Sequence, residues 1–394
     1  MPAPSWLDPD FTLSEDGRVA TAAMVAAEAE RLASTLPEGG SLRLPVGGVF
    51  DLLAALLACE SAGADLYLVR DGAAEPPASA SASGRVWLQT SGSTGAPRWI
   101  GHRPEALRGL IQRGRRQRAK WLLSYGAGSF AGLQVVLSAA LGGHELVAPP
   151  RGASAIELAA LAIDRGVTHL SGTPTFWRGF LIAVGRAESE LAAVTLGGEA
   201  ADQALLDALA RRFPAATLRH IYATTETGAV FSVGDGRAGF PASWLDRGVD
   251  GARLAITERG TLAVASARRA VSIDGEFLDT GDCVTVAGDR VLFRGRIDSM
   301  VNVGGVKIWP EEVEAHLLRL GFVRDVLVSA RPNPVTGQIL TADLVVDEAS
   351  APPAAEAAIR RHLMSLPRAA RPAAIRFTSG LPTGQTGKKR RIPS

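Results

Sequence analysis

The sequence predicts an α/β protein with a substantially parallel sheet, joined to a separate C-terminal unit. Three observations carry this. Apolar runs alternate between strand-like and helix-like periodicity from residue 119 to about residue 224. Near residue 250 the texture changes to short runs bounded by Gly and Asp. From about residue 299 a helix–strand–strand–helix pattern of its own begins.

In chain order, residues 19–35 read as an Ala-rich helix, and "VFDLLAALLACESAG" as a second one ahead of the strand-like "DLYLV". "DGAAEPPASASASG" is low in complexity and reads as a surface connection. Then "AKWLLSY" has strand character, "FAGLQVVLSAALG" helix, and "HELVAPP" strand. "AIELAALAIDRG" (helix) leads to "VTHLSGTP", and "LLDALARRFPAA" (helix) to "LRHIYATTETG". Beyond residue 250 the runs resemble antiparallel strands and turns. The last unit reads as "EEVEAHLLRLG" (helix), "VRDVLVSAR" and "LTADLVVD" (strands) and "AAEAAIRRHLMSL" (helix), and no internal repeat is visible.

Bulk composition bounds the function. With 394 residues the chain can form two or three domains, and 46% hydrophobic with 21% charged residues is ordinary for a globular protein. A net charge of +2 supplies no field for nucleic acid or an acidic membrane. The only cysteines, Cys59 and Cys283, form no CxxC and have no His cluster around them, which points away from a disulfide framework or structural zinc. "MPAPSWLDPDFTLSEDG" carries acids where a signal peptide needs a basic and then an apolar segment, and no apolar run reaches spanning length. The expectation is a cytoplasmic protein.

Chemistry concentrates in five places. "LQTSGSTGAPRWI" leaves a strand-like run for six small residues, Thr90, Ser91, Gly92, Ser93, Thr94 and Gly95, followed by the cation Arg98. Such residues bring backbone N–H groups and hydroxyls close to an anion, as a polyphosphate cradle would; a solvated linker has the same composition. "HIYATTETGAV" sets Tyr222, Thr225 and Glu226 at a strand-to-loop exit, where an aromatic could stack a base and a carboxylate hold a metal. A capped helix start is the other reading. "FLDTGDCV" places Asp282 where it could accept from a ribose diol, or merely form a Gly turn. "FRGRIDSMVNVGGVKIWPEEVEAHL" joins Arg296 and Asp298 to a Gly-Gly turn and a helix opened by Pro310. "LPTGQTGKKRRIPS" ends the chain with Lys388 to Arg391, which by composition alone is a basic tail.

In this order the five segments resemble the adenylate-forming superfamily of acyl- and aryl-CoA ligases, carrier-protein adenylation domains and luciferases. The resemblance spans residues 86–394: "TSGSTGAPR" is similar to its phosphate loop, "YATTE" to its adenine and magnesium motif, and "DTGD" to its ribose-binding motif. "GRID" with "GGVKIWPEEVE" is similar to its hinge and thiol-channel loop, and "PTGQTGK" to the segment with its catalytic lysine. The compact layout, with a short region before the phosphate loop, is similar to o-succinylbenzoate–CoA ligases. Departures are Arg98-Trp99 where the loop usually ends in Lys-Gly, and Ser129 in "GAGSFAGL" where many relatives carry an aromatic-His pair.

The resemblance implies a large, shortened N-terminal AMP-binding domain (1–297) and a small mobile C-terminal lid (298–394) hinged near Asp298. It implies that a carboxylate attacks ATP with magnesium, giving an acyl-adenylate, which passes to coenzyme A, to a carrier-protein thiol or to an amine. Lys388, Glu226 and Thr94 would act in catalysis, with Glu226 on the metal. Thr90 to Gly95, Arg98, Gly198, Glu199, Tyr222, Thr225, Asp282 and Arg296 would bind the nucleotide. Gly304 and Gly305 would line the thiol channel, and Ser129, Gly197 and Ala223 the acyl pocket. It implies no nucleic-acid or membrane partner and allows a homodimer. One competing pattern is Gly126-x-Gly128-x-x-Ala131, the outline of a dinucleotide fingerprint, although Glu145 starts the following strand-like run where a dehydrogenase needs an acid at its end.

Overall fold

Eight strands assemble the largest sheet of the computed structural model, which describes residues 6–69, 84–90, 98–111, 117–270, 275–347, 352–382 and 389. Its middle is parallel: Thr217–Thr224, Ala193–Gly197, His169–Gly172, Lys120–Leu122, Glu145–Val147 and Thr12–Glu15 lie side by side. Antiparallel strands close both edges, Gly228–Val233 at one and Arg18–Thr21 at the other. A second sheet of four strands, Ser41–Pro45, Asp65–Val69, Val86–Gln89 and Trp99–His102, turns antiparallel only at its last member.

The helices cover these sheets for physical reasons visible in their residues. Val49–Ala62 is apolar nearly all round and is buried along most of its length, with Leu52 and Leu53 at 0% exposure, as a helix between two layers must be. Phe130–Leu141 is similar, and Ala155–Asp164 begins with a full capping box from Ser154 and Glu157. The helix expected from residue 19 starts only at Ala22. Residues Arg18–Thr21 form a strand because Asp16 and Gly17, both at positive φ (49° and 74°), make a tight hairpin with Thr12–Glu15.

Beyond residue 240 an antiparallel five-stranded sheet runs in the order Phe240–Pro241, Arg290–Arg296, Leu278–Ala287, Thr261–Ala265, Arg253–Ile256. The 3-10 turn Ile297–Ser299 follows, and then a region with its own core of Val301, Val313, Leu317, Val326, Leu340 and Ile359. There the strands Val323–Asn333, Gly337–Val346 and Ala374–Phe377 form a three-stranded sheet beside the helices Pro310–Leu317 and Pro352–Leu363. Among the described residues, no helix is long and apolar enough to cross a membrane.

Candidate nucleotide and acyl site

The parallel register brings several candidate residues to one end of the large sheet. Leu196 pairs with His220 and Gly197 with Ile221, so Gly197 and the segment from Tyr222 to Thr224 leave adjacent strands together. An irregularity between Tyr222 and Ala223 re-aims the chain there, and Gly198 turns at φ +83°. A Cβ on Gly197 would stand 3.6 Å from the Tyr125 hydroxyl, an ordinary contact distance.

Tyr222, Asp282 and Arg296 form one cluster. The Tyr222 hydroxyl donates to Asp282 Oδ2 at 2.6 Å, and Arg296 Nη1 donates to Asp282 Oδ1 at 3.3 Å. Asp282 and Arg296 face each other across neighbouring strands, so the sheet itself fixes this pair. Burial and the Asp282 charge push the Tyr222 phenol well above its ordinary pKa, which keeps it a proton donor to the carboxylate. The Tyr222 ring lies nearly parallel to Phe231 and to Phe293, each at 5.2 Å. "DTGD" is thus part of an irregular strand rather than a simple turn: Asp279 accepts from the Gly281 amide, and Thr280 from the Asp282 amide.

After Thr224 no helix begins. The Thr224 hydroxyl accepts from the Thr227 amide at 3.0 Å, closing a turn into the strand Gly228–Val233 and setting aside the capped-helix reading. Glu226 is half-buried in this turn, its carbonyl held by the Ala270 amide at 2.9 Å.

Sequence reasoning passed over His102, which is fully buried, lies 5.7 Å from Phe130 and is approached by the Thr225 backbone. Burial holds its pKa down at about 4, against 6.5 ordinarily. Neutral in the fold, it takes up a proton on unfolding below pH 6.5, so its contribution is complete at pH 7 and is lost as the pH falls from 6.5 toward 4. Between pH 7 and 5 this group should cost the fold about 2 kcal/mol. Urea denaturation of His102→Gln should show a correspondingly flatter pH dependence; an unchanged slope would mean that His102 does not carry it.

At the mouth of the phosphate-loop segment the Thr90 amide donates to the Arg98 carbonyl at 2.9 Å, and the Arg98 side chain is exposed. Ser91, Gly92, Ser93, Thr94 and Gly95 lie outside the described residues. Trp99 begins the strand Trp99–His102 and meets Tyr67 edge-on at 5.4 Å, so its ring is a packing element of that sheet. Ser129 caps the helix Phe130–Leu141: its hydroxyl accepts from the Gly132 amide and donates to the Gly126 carbonyl. That backbone role accounts for the residue without an acyl group.

Glu199 joins distant parts of the chain. One carboxylate oxygen accepts from the amide and hydroxyl of Thr175, at 3.0 and 2.8 Å, and the other from the Lys389 amide at 3.2 Å. Lys388 lies outside the described residues, but Lys389, the next residue, is placed against the large sheet's loops. Asp298 accepts from Arg296 at 3.2 Å within the turn Ile297–Ser299. Gly304 and Gly305, at φ +58° and +88°, make the two-residue turn between the strands Val301–Val303 and Val306–Ile308. The hairpin demands glycine there, whatever passes beside it.

The dinucleotide pattern does lie between a strand and a helix. However, Glu145 opens its strand and pairs with Lys120 at 3.6 Å at the strands' opposite end.

Comparison with known proteins agrees with this geometry. Residues 18–262 match the AMP-binding enzyme family, and residues 312–388 match the AMP-binding enzyme C-terminal domain. A 2-succinylbenzoate–CoA ligase of Bacillus pumilus is 26% identical over 332 residues, covering 77% of this chain and 67% of that protein. A sulfoacetate–CoA ligase of Cupriavidus necator is 35% identical over 127 residues, 32% of this chain but only 24% of that protein. In three dimensions the chain is similar to an anthranilate CoA ligase in complex with anthranoyl-AMP, with a TM-score of 0.73, 18% identity, and coverage of 96% of this chain and 92% of that one. The fold is the adenylate-forming one, with a large N-terminal and a small C-terminal part. The 18–262 match covers well over half of the chain, and on that ground it belongs to the AMP-binding enzyme family.

Proposed function

We propose that the protein activates a carboxylic acid with ATP, forming an acyl-adenylate and pyrophosphate, and then transfers the acyl group to a thiol, with coenzyme A as acceptor. Relatives described as 2-succinylbenzoate– and sulfoacetate–CoA ligases support this class. The observation that carries it is the contact of Lys389 with Glu199, which sets the C-terminal segment beside the ends of the strands bearing Gly197 and Tyr222.

In this reading residues 1–297 and 298–394 are the two domains. Attack of a carboxylate on the α-phosphorus brings two anions together, so the site needs cations more than a base. Arg98 and the loop Thr90 to Gly95 would grip the distal phosphates and Lys388 would bridge the carboxylate and α-phosphate. Tyr222 would present its ring to adenine while Asp282 and Arg296 hold the ribose; Glu199, Gly198 and Thr225 border the same space. Among the described residues no group of three His, Cys, Asp or Glu stands ready to hold a metal alone. Magnesium bound mainly through phosphates needs only one or two carboxylates, and Glu226 fits that part. The small residues Gly197 and Ala223 leave room for a ring, which favours an aryl or short acyl acid. Rotation of the small domain about Asp298 would bring Gly304 and Gly305 beside the thiol arm, and the thiol sulfur would then attack the acyl carbonyl and displace AMP.

Isotope exchange between ATP and pyrophosphate, run across a panel of aryl and short acyl acids, tests the reading. Exchange should require both an acid and magnesium. Product analysis with coenzyme A, a carrier protein or an amine then assigns the acceptor. No exchange with any acid would sink the assignment, and an amide product without coenzyme A would redirect it.

A further inference from the structure

Four charged side chains meet where the C-terminal region touches the large sheet's helices; Arg178, Asp202 and Asp325 lie in no motif, and Lys389 directly follows the lysine segment. Arg178, on the helix Pro174–Val184, pairs with Asp202 and keeps a side-chain exposure of only 7%. Its Nε also stands 3.6 Å from Asp325 Oδ1, on the strand Val323–Asn333. Asp325 Oδ1 in turn is 2.7 Å from Lys389 Nζ, which also donates to the Val326 carbonyl at 2.7 Å. Asp325 and Lys389 are nearly as buried, at 11% and 12%.

We infer that Arg178 and Asp325 are positioning residues: a latch that holds the C-terminal domain in the orientation used for adenylation and separates before thiol transfer. The inference rests on the two-step reaction proposed above. Its physical basis is how the charges divide. Breaking a buried ion pair is costly chiefly because it strands an unpaired charge. Here rotation strands none, because Arg178 stays with Asp202 in the large domain while Asp325 leaves with Lys389. Asp202 is further fixed as a helix cap, accepting from the Leu205 amide at 3.1 Å, so Arg178 stays aimed when its second partner departs.

A second contact between the two regions, Arg294 stacked over Trp309 at 4.1 Å, lies close in sequence to the turn Ile297–Ser299. A contact beside the pivot can persist through much of a rotation, whereas the Arg178–Asp325 pair joins elements far from it in sequence. The latch therefore specifies orientation, and leaving it breaks one ion pair without leaving an unpaired charge behind. Anchoring Lys389 at both amide and amine also fixes the chain next to Lys388 in that orientation alone.

Asp325→Asn keeps the shape and removes the charge, and Asp325→Glu keeps the charge. Adenylation should fall by roughly tenfold in Asp325→Asn, the scale of one partly buried ion pair, with most of the rate retained in Asp325→Glu. The conversion of supplied acyl-adenylate to thioester should be unchanged or faster. Arg178→Gln with Asp325→Asn should be no slower than Arg178→Gln alone.

A readout independent of activity uses spin labels on Ile156→Cys and Val335→Cys, sites 71% and 88% exposed, while the native Cys59 and Cys283 are buried. The distance population matching this structure should shrink in Asp325→Asn and persist in Asp325→Glu. An unchanged distribution would overturn the latch, as would additive effects of the two substitutions or equal losses in both half-reactions. Absence of acid-dependent exchange in the unmodified protein would overturn the proposed reaction instead, and the distance measurement would still decide whether Arg178 and Asp325 set the orientation.

Discussion

Lys388→Ala should slow formation of the acyl-adenylate by about 10²–10³, the usual consequence of removing one preorganised electrostatic contact from a charged transition state. The expectation follows from the chemistry of the proposed step. A carboxylate and a triphosphate repel each other until cations lie between them, and charge grows on the α-phosphate oxygens as the bond to pyrophosphate breaks. Two adjacent lysines could supply the cation, and the described one, Lys389, is already engaged. Lys389 Nζ is engaged by Asp325 and the Val326 carbonyl, each at 2.7 Å, and its amide by Glu199. It is a structural anchor, so in the proposed reading the bridging role falls to Lys388. Thioester formation from supplied acyl-adenylate should change little, because in the proposed reading the domain rotation would take the lysine away from that step. Stopped-flow release of pyrophosphate measures the first half-reaction and thioester formation the second. Equal losses in the two would make residue 388 part of a tail that merely stabilises the fold. Lys389→Ala serves as the contrast: it should disturb adenylation less than Lys388→Ala and shift the domain orientation more.

Much of the architecture was legible because its period is strong. "DLYLV" is a strand at Asp65–Val69, and "FAGLQVVLSAAL" a helix at Phe130–Leu141. What was missed had local causes. The Asp16-Gly17 turn is a two-residue hairpin cue, but the Ala-rich run behind it drew the helix too far upstream. The helix Pro174–Val184 went unread even though Thr173 caps it and Pro174 opens it, because "PTFWRGFL" follows a strand-like run without an acidic first turn. The strand Ala193–Gly197 is short, and only its parallel partners on both sides define it. At the site, motif residues could be named but not their partners. Nothing in the spacing links Tyr222 to Asp282, 60 residues away, or Lys389 to Glu199, 190 residues away; sheet closure and domain contact create those pairs. Arg178, Asp202 and Asp325 carry no motif at all, and charged residues at such spacing read as solvated faces until the fold buries them.

Asp298→Pro should separate the two half-reactions, leaving adenylation largely intact and lowering thioester formation by at least about an order of magnitude. Residue 298 is the middle of the 3-10 turn Ile297–Ser299, entered from Arg296 at φ −91° and left through Met300 at φ −65°. A 3-10 residue sits at φ of about −50° to −70°, and proline holds about −65°, so the φ at position 298 is compatible with it in the present orientation. In the proposed reading rotation of the small domain would change torsions within this short segment, and a fixed φ would resist that change. Two side effects must be kept apart from the restraint. Proline removes the carboxylate that accepts from Arg296 at 3.2 Å, and it presses Ile297, the residue before it, toward extended backbone. Asp298→Ala shares the first effect without any restraint on φ, so a loss common to both variants belongs to the ion pair. A loss confined to thioester formation in Asp298→Pro belongs to the hinge. Should both activities fall together with the melting temperature, the turn has simply been broken. Unchanged overall turnover would show that the chain bends elsewhere, with the segment from Ser299 to Val301 the next place to restrain.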